Sequence, residues 1–222
     1  MATSKPGALI FDMDGTMVDN MAFHTQSWLA LFEELGVGMT ASRLEEIMGM
    51  HTTVTLLRQE LGRELTDEEV TRYGERKEAL YREIYRPHLE PVHGLEAFLD
   101  QAQCRGIPLA VATSAGRRNI DFVLNELGMM DRFDVIVGSD QVPEGKGGPR
   151  IYVTTAQQLG VEPKLCLVFE DSRSGISAAY EAGMRIVVVA TDASAASFRR
   201  LPGVVDVIDD YAALNQGTRI WG

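Results

Sequence analysis

The stretch Ala8-Leu9-Ile10-Phe11-Asp12-Met13-Asp14-Gly15-Thr16 decides how the rest of the chain is read. Four apolar residues in a row, without alternation, have the form of a short strand covered on both faces, as in a parallel sheet. Asp12 and Asp14 then stand where the chain leaves that strand, and Asp14-Gly15 is a turn signal. Four further apolar runs follow, at 109–113, 135–137, 166–169 and 185–189. Between the later runs lie segments of helical spacing, each ended by a glycine. Leu95, Phe98, Leu99 and Ala102 precede Gly106; Ile120, Val123, Leu124 and Leu127 precede Gly128; Tyr152, Ala156 and Leu159 precede Gly160; Ile176, Ala179 and Tyr180 precede Gly183. Glycine at that place accepts the positive φ that closes a helix. Strand, helix, strand in repetition predicts an α/β fold with an open, doubly wound parallel sheet.

Residues 20–88 break this rhythm. They hold no convincing strand but several helical stretches: Trp28, Leu31, Phe32 and Leu35 before Gly36, then Leu44, Ile47 and Met48, then Val54, Leu57 and Leu61. Thr66-Asp67-Glu68-Glu69 has the form of a capping box opening a long helix through Val70, Tyr73, Leu80 and Ile84. Pro87 and Pro91 stop that helix and mark the return to the sheet. The expected organisation is therefore a core domain built from 1–19 and 89–222, with an all-helical domain at 20–88 inserted after the first strand.

Composition narrows the class of partner. The 222 residues are 45% hydrophobic and 24% charged, as in an ordinary globular protein. Lys and Arg number 21 against 32 Asp and Glu, a net charge of −11, with no basic cluster to offset it. Nucleic acid and anionic membrane are therefore not expected as partners. No apolar run approaches the ~20 residues of a membrane span, and the N-terminus lacks the pattern of a secretory signal. Cys104 and Cys166 have no CxxC spacing, as expected of two plain thiols in a reducing, cytoplasmic compartment. An acidic protein that handles phosphate needs a cation to mediate.

Ligands of open α/β sheets bind outside the carboxyl ends of the strands. At those ends the sequence places Asp12 and Asp14, then Thr113 and Ser114, then Lys146 in a Gly-rich loop, then Glu170 and Asp171. Clustered carboxylates raise one another's pKa unless something positive intervenes. A hard divalent cation and the Lys146 ammonium answer that need, and Mg2+, which prefers oxygen ligands and keeps waters, suits a site meant for phosphate.

With these four motifs in order, the chain resembles the haloacid dehalogenase superfamily of aspartyl-phosphate enzymes, in its β-phosphoglucomutase-like branch with a helical cap. The resemblance rests on residues 11–16 with Asp19, on Thr113-Ser114, on Lys146 before Pro149, and on Phe169-Glu170-Asp171-Ser172 with Gly175-Ile176. It implies a Rossmann-like core and a Mg2+-dependent phosphomonoesterase for small sugar or polyol phosphates, with the cap closing to exclude bulk water. It also implies Asp12 as the nucleophile that becomes an aspartyl phosphate and Asp14 as general acid and base. Mg2+ is expected on Asp12, the Asp14 backbone carbonyl and Asp171, with Glu170 in direct or indirect contact. Ser114, or Thr113 beside it, and Lys146 are expected to hold the phosphoryl oxygens. Thr16, His24, Trp28, Lys77, Thr113, Ala115 and Arg117 complete the expected substrate-binding set.

Plainer readings stand beside these. Asp12 and Asp14 also suit a strand end and turn, Ser114 a helix N-cap, Lys146 a solvated loop, and Glu170-Asp171 the dipole of the following helix. His24 and Trp28, four apart on one helix face, fit either a substrate crevice or the core of the helical domain, and Lys77 a solvated helix face. A hexose-phosphate mutase of the β-phosphoglucomutase type, using the same Asp12 and Asp14, is the alternative activity. The segment Met48-Gly49-Met50-His51-Thr52 lacks the basic residues with which such mutases hold a distal phosphate, and this favours water as acceptor, although His51 or Arg117 offers a substitute. The Lys146 loop reads Lys146-Gly147-Gly148-Pro149-Arg150, with Arg150 where the family usually has aspartate. A binding or regulatory module that has lost turnover is the third reading.

Overall fold

The computed structural model describes residues 5–48, 53–142, 148–191, 193–214 and 220–221. Six strands form one parallel sheet: β1 (Ala8–Phe11), β2 (Leu109–Ala112), β3 (Val135–Val137), β4 (Cys166–Glu170), β5 (Arg185–Val189) and β6 (Val204–Ile208). Their order is β3-β2-β1-β4-β5-β6. From β1 the chain steps outward to β2 and β3, then returns across β1 to build β4, β5 and β6. The reversal falls between β1 and β4, and their carboxyl ends frame the crevice where such sheets bind ligands.

Five apolar runs are expected from the sequence, and six strands are present among the described residues. The sixth, Val204-Val205-Asp206-Val207-Ile208, is broken by Asp206 and lies at the sheet edge, where Val205 is exposed. An edge strand needs no continuous apolar run, so it escapes a search built on buried strands. Its pairing with β5 is irregular between Ile186 and Val187. At the functional edge, β4 extends one residue further than its apolar run and includes Glu170.

The strand alternation divides the core. On one face Ala8, Ile10, Val168 and Val188 meet Ile151, Tyr152 and Ala156 of α7 (Arg150–Leu159) and Ile176 and Ala179 of α8 (Arg173–Glu181). On the other, Phe11 stacks on Phe169 at 4.7 Å and meets Phe98 of α5 (Leu95–Cys104) edge-on at 6.3 Å. Tyr211 closes this aromatic group 6.1 Å from Phe11. All four rings are fully buried, and truncating one to alanine is expected to cost about 3–5 kcal/mol. The helix α6 (Arg117–Glu126) follows β2.

The chain divides into two compact units, Met1–Asp19 with Glu90–Gly222, and Asn20–Leu89. The second unit holds α1 (Met21–Glu34), α2 (Ala41–Met48), α3 (Thr53–Leu61) and α4 (Asp67–Tyr85) around a core that includes Trp28, Leu31, Phe32, Leu44, Ile47 and Leu57. The expected capping box is formed: the Glu69 N–H donates to Thr66 Oγ1 at 3.2 Å, and the Thr66 N–H to Glu69 Oε2 at 3.0 Å. Glu69 also pairs with Arg63 at 2.7 Å. At its far end α4 gives way to a tight 3-10 turn, Arg86–His88, carrying Pro87.

Candidate active site

The turn after β1 is held from several sides. Asp12 is buried and its N–H donates to the Phe169 carbonyl at 3.0 Å, continuing the β1–β4 ladder. Register then sets Asp12 beside Glu170, because Phe11 pairs with Phe169. The chain folds back at once: Thr16 and Met17 N–H groups donate to the Met13 carbonyl, and Gly15 N–H to the Val18 carbonyl. Gly15 has φ 77° and a Cβ there would overlap the Asp171 carboxylate, so the position demands glycine twice over. Thr16 Oγ1 donates to Asp171 Oδ1 at 3.3 Å. From behind, Thr191 Oγ1 donates to the Gly15 carbonyl at 2.7 Å and the Tyr211 hydroxyl to the Thr16 carbonyl at 3.2 Å.

Glu170 is fully buried and accepts from several donors. Its Oε1 accepts from the Tyr152 hydroxyl at 2.9 Å. Its Oε2 accepts from the Asp171 and Ser172 N–H groups at 2.9 and 2.8 Å and from Ser172 Oγ at 2.9 Å. Ser172 Oγ in turn accepts from the Gly175 N–H at 3.1 Å, making it the N-cap of α8. Burial, reinforced by the negative charge of Glu170 and then of Asp12, pushes the Tyr152 phenol well above its ordinary pKa, so it remains a donor. Burial does the same to Tyr211, with Asp12 and Asp171 adding to it.

Carboxylate oxygens of Asp12, Glu170 and Asp171 lie within 4.8 Å of one another. Like charges at that spacing call for a cation. The donors are all oxygen, on rigid strand ends, and fit a hard divalent ion. The Asp14 carboxylate is not one of this trio; Asp14 is half-buried and bridges to Val18 in the turn.

At the end of β2, Thr113 is buried and its Oγ1 accepts from the Ala115 N–H at 3.1 Å, while Ser114 is exposed. Ser114 does not cap α6, whose N-cap is Gly116. Ala115 is buried with its carbonyl accepting from the Ser139 N–H, and Arg117 is exposed and paired with Asp121 at 2.8 Å. Lys146 and the segment Gly49 to Thr52, His51 included, lie outside the described residues.

The helical unit gathers the other three candidates. Lys77 is buried, not solvated, with Nζ 2.8 Å from His24 Nδ1, 2.9 Å from Glu78 Oε1 and 5.7 Å from the Trp28 ring centre. With a lysine ammonium as donor, Nδ1 of His24 is the acceptor. The His24 ring stacks on Tyr81 at 4.0 Å, and the Tyr81 hydroxyl accepts from Asn20 Nδ2 at 2.6 Å. Trp28 belongs to the core of this unit.

Comparison with known proteins identifies the family. Residues 9–189 match the family described as haloacid dehalogenase-like hydrolase. The chain belongs to that family. Among relatives of this hydrolase, YhcW of Bacillus subtilis is 34% identical over 185 residues, covering 82% of each chain. The phosphorylated carbohydrates phosphatase of Thermotoga maritima is 31% identical over 209 residues, 93% of this chain and 89% of that one. A solved HAD hydrolase of family IA, variant 3, from Entamoeba histolytica superposes with a TM-score of 0.86 at 25% identity, covering 96% and 97% of the two chains. The hydrolase has the Rossmann-like α/β core and an inserted run of helices, as its family does. Among the described residues no helix is long and apolar enough to cross a membrane.

Tyr152, Thr191 and Tyr211 are the site residues that sequence reasoning missed. Tyr152 shares a helical stripe with Ala156 and Leu159, where a tyrosine reads as core. The available signal is its hydroxyl, which in a buried stripe must find a partner.

Proposed function

We propose that this hydrolase is a Mg2+-dependent phosphomonoesterase acting on small sugar or polyol phosphates through an aspartyl phosphate on Asp12. The observation that carries the reading is the trio Asp12, Glu170 and Asp171 at the reversal point of the sheet, with Asp14 in the adjoining turn. Relatives named as phosphatases, including the Thermotoga maritima enzyme for phosphorylated carbohydrates, support it. Asp12, the Asp14 backbone carbonyl and Asp171, with Glu170 beside them, would hold Mg2+, which would supply the positive charge that lets an anionic nucleophile approach a phosphate ester.

The residues then divide the work. A carboxylate oxygen of Asp12 attacks phosphorus, the ester P–O bond breaks, and the departing alkoxide takes the proton of Asp14. Asp14, now ionised, removes a proton from water as the water oxygen attacks phosphorus. The bond between phosphorus and Asp12 breaks, inorganic phosphate leaves, and Asp14 is again protonated. Ser114 and Lys146 are assigned to the phosphoryl oxygens, with Thr113 supporting the turn through Ala115. Phosphoryl transfer needs chiefly positioning and neutralisation, which these groups provide. Discrimination among esters is assigned to His24 and Lys77, which are in direct contact at 2.8 Å. The two free thiols, Cys104 exposed and Cys166 buried, accord with a cytoplasmic setting.

The test is phosphate release from hexose 1- and 6-phosphates, polyol phosphates and phosphoglycolate, with Mg2+ and with EDTA. Metal-dependent release, falling at least about a thousandfold in Asp12→Asn, is the expected result. Undiminished turnover in that variant would refute the aspartyl-phosphate route. Following β-glucose 1-phosphate for glucose 6-phosphate decides the second reading, a mutase, which the contact of half-buried His24 with buried Lys77 favours; isomerisation faster than release would establish it.

A further inference from the structure

Tyr152 is a phenol set in an apolar layer. It is fully buried among Ile10, Ile151 and Ala156 beneath the sheet, and its hydroxyl crosses that layer to Glu170 Oε1 at 2.9 Å. A carboxylate offers about four acceptor sites. Among the described residues three donors converge on Glu170 Oε2, and Tyr152 donates to Oε1. The three on Oε2 all come from Asp171 and Ser172, the residues that turn the chain from β4 into α8. Glu170 therefore shapes the turn that presents Asp171, and the rotation of its carboxylate is fixed at one oxygen by that turn and at the other by Tyr152. Gly175 completes the cradle, since a Cβ there would overlap the carboxylate.

We propose that Tyr152 is a positioning residue of the metal centre: its hydroxyl holds the Glu170 carboxylate in the rotation that sets the Asp171–Ser172 turn and the trio Asp12, Glu170 and Asp171. The inference rests on the metal reading above and adds a residue on another helix that touches neither metal nor substrate. Partners of this kind, hydrogen-bonded to ligating carboxylates, typically govern metal affinity by about 10–100-fold. Phenylalanine at 152 keeps the ring and its packing but removes the Tyr152 donor from Oε1, which weakens the hold on the carboxylate's rotation.

The experiment measures Mg2+ binding by titration calorimetry, without substrate, for the wild type, Tyr152→Phe, Glu170→Gln and the double variant. Tyr152→Phe is expected to bind Mg2+ about tenfold more weakly, to need correspondingly more Mg2+ for turnover, and to regain most of the wild-type kcat when saturated. Because Tyr152 acts through Glu170, the double variant is expected to bind no more weakly than Glu170→Gln alone. Wild-type affinity in Tyr152→Phe, or losses that multiply in the double variant, overturn the proposal. Should Tyr152→Phe not fold, Ser172→Ala, which removes another donor to the same carboxylate, is measured in the Glu170→Gln cycle; full multiplication there overturns the idea that Glu170 orders this turn. A wild type that binds no Mg2+ overturns the metal reading itself and the Tyr152 role with it, a result distinct from failure of the variant alone.

Discussion

Gly175 sits inside α8, where alanine would ordinarily gain about 1 kcal/mol through helix propensity. The structure predicts the opposite. A Cβ at this position overlaps the Glu170 carboxylate, which is buried and accepts from Tyr152, from two N–H groups and from Ser172 Oγ. Making room means moving the carboxylate out of at least two of those bonds, each worth roughly 1.5–3 kcal/mol with a charged acceptor. The loss of about 3–6 kcal/mol, less the propensity gain, leaves Gly175→Ala destabilised by about 2–5 kcal/mol. At roughly 2–4 °C per kcal/mol for a chain of this size, the melting midpoint falls by about 4–20 °C. Gly74 supplies the contrast within the same molecule. It lies inside α4 with nothing within 4 Å of an added Cβ, so Gly74→Ala is expected to stabilise by about 0.5–1 kcal/mol. Thermal melts by circular dichroism, with phosphate release and its Mg2+ dependence measured alongside, read both signs. A Gly175→Ala protein as stable as the wild type, with unchanged Mg2+ dependence, would show that Glu170 is not locked in this cradle.

Other perturbations address separate parts of the molecule. Asp171→Ala is expected to raise the Mg2+ concentration for half-maximal turnover at least about tenfold; an unchanged requirement removes Asp171 from the ligand set. Glu69, held by the Arg63 guanidinium and then the Thr66 N–H, has its pKa lowered from 4.5 to about 2. A lowered carboxyl pKa gives stability that is fully present above pH 4.5 and lost as the pH falls toward about 2. The stability gap between wild type and Glu69→Gln is therefore expected to hold above that range and to close through it, and a gap that widens on acidification in urea titrations would contradict the capping geometry. On the proposed recognition role of His24, which contacts Lys77 at 2.8 Å, His24→Ala is expected to impair sugar phosphates more than p-nitrophenyl phosphate; equal loss of kcat/KM on both substrates would place His24 in the general scaffold.

The parts legible in the sequence are those where one residue type has one physical reason to be there. Ala8–Phe11 reads as a buried strand because nothing else explains four apolar residues without alternation, and Thr66 with Glu69 reads as a helix start because the two side chains satisfy each other's N–H groups. The acids Asp12, Glu170 and Asp171 are legible because β1 and β4 deliver them to one edge, and adjacency follows from strand order alone. Val204–Ile208 fails the same test, since an edge strand tolerates Asp206 and an exposed Val205. Tyr152, Thr191 and Tyr211 fail it for a deeper reason. Each acts with a single hydroxyl on a group far away in sequence, Glu170, Gly15 or Thr16, so nothing local marks it. A catalytic motif shows which groups react, whereas the hydrogen bonds that aim those groups come from whichever helix or strand end happens to lie underneath. In this hydrolase Tyr152 and Tyr211 make these bonds from opposite faces of the sheet and both are fully buried, where an unmade hydrogen bond is costly. That cost favours rigid positioning, and on the proposed metal reading a change as small as one phenolic oxygen is expected to be measurable in Mg2+ binding.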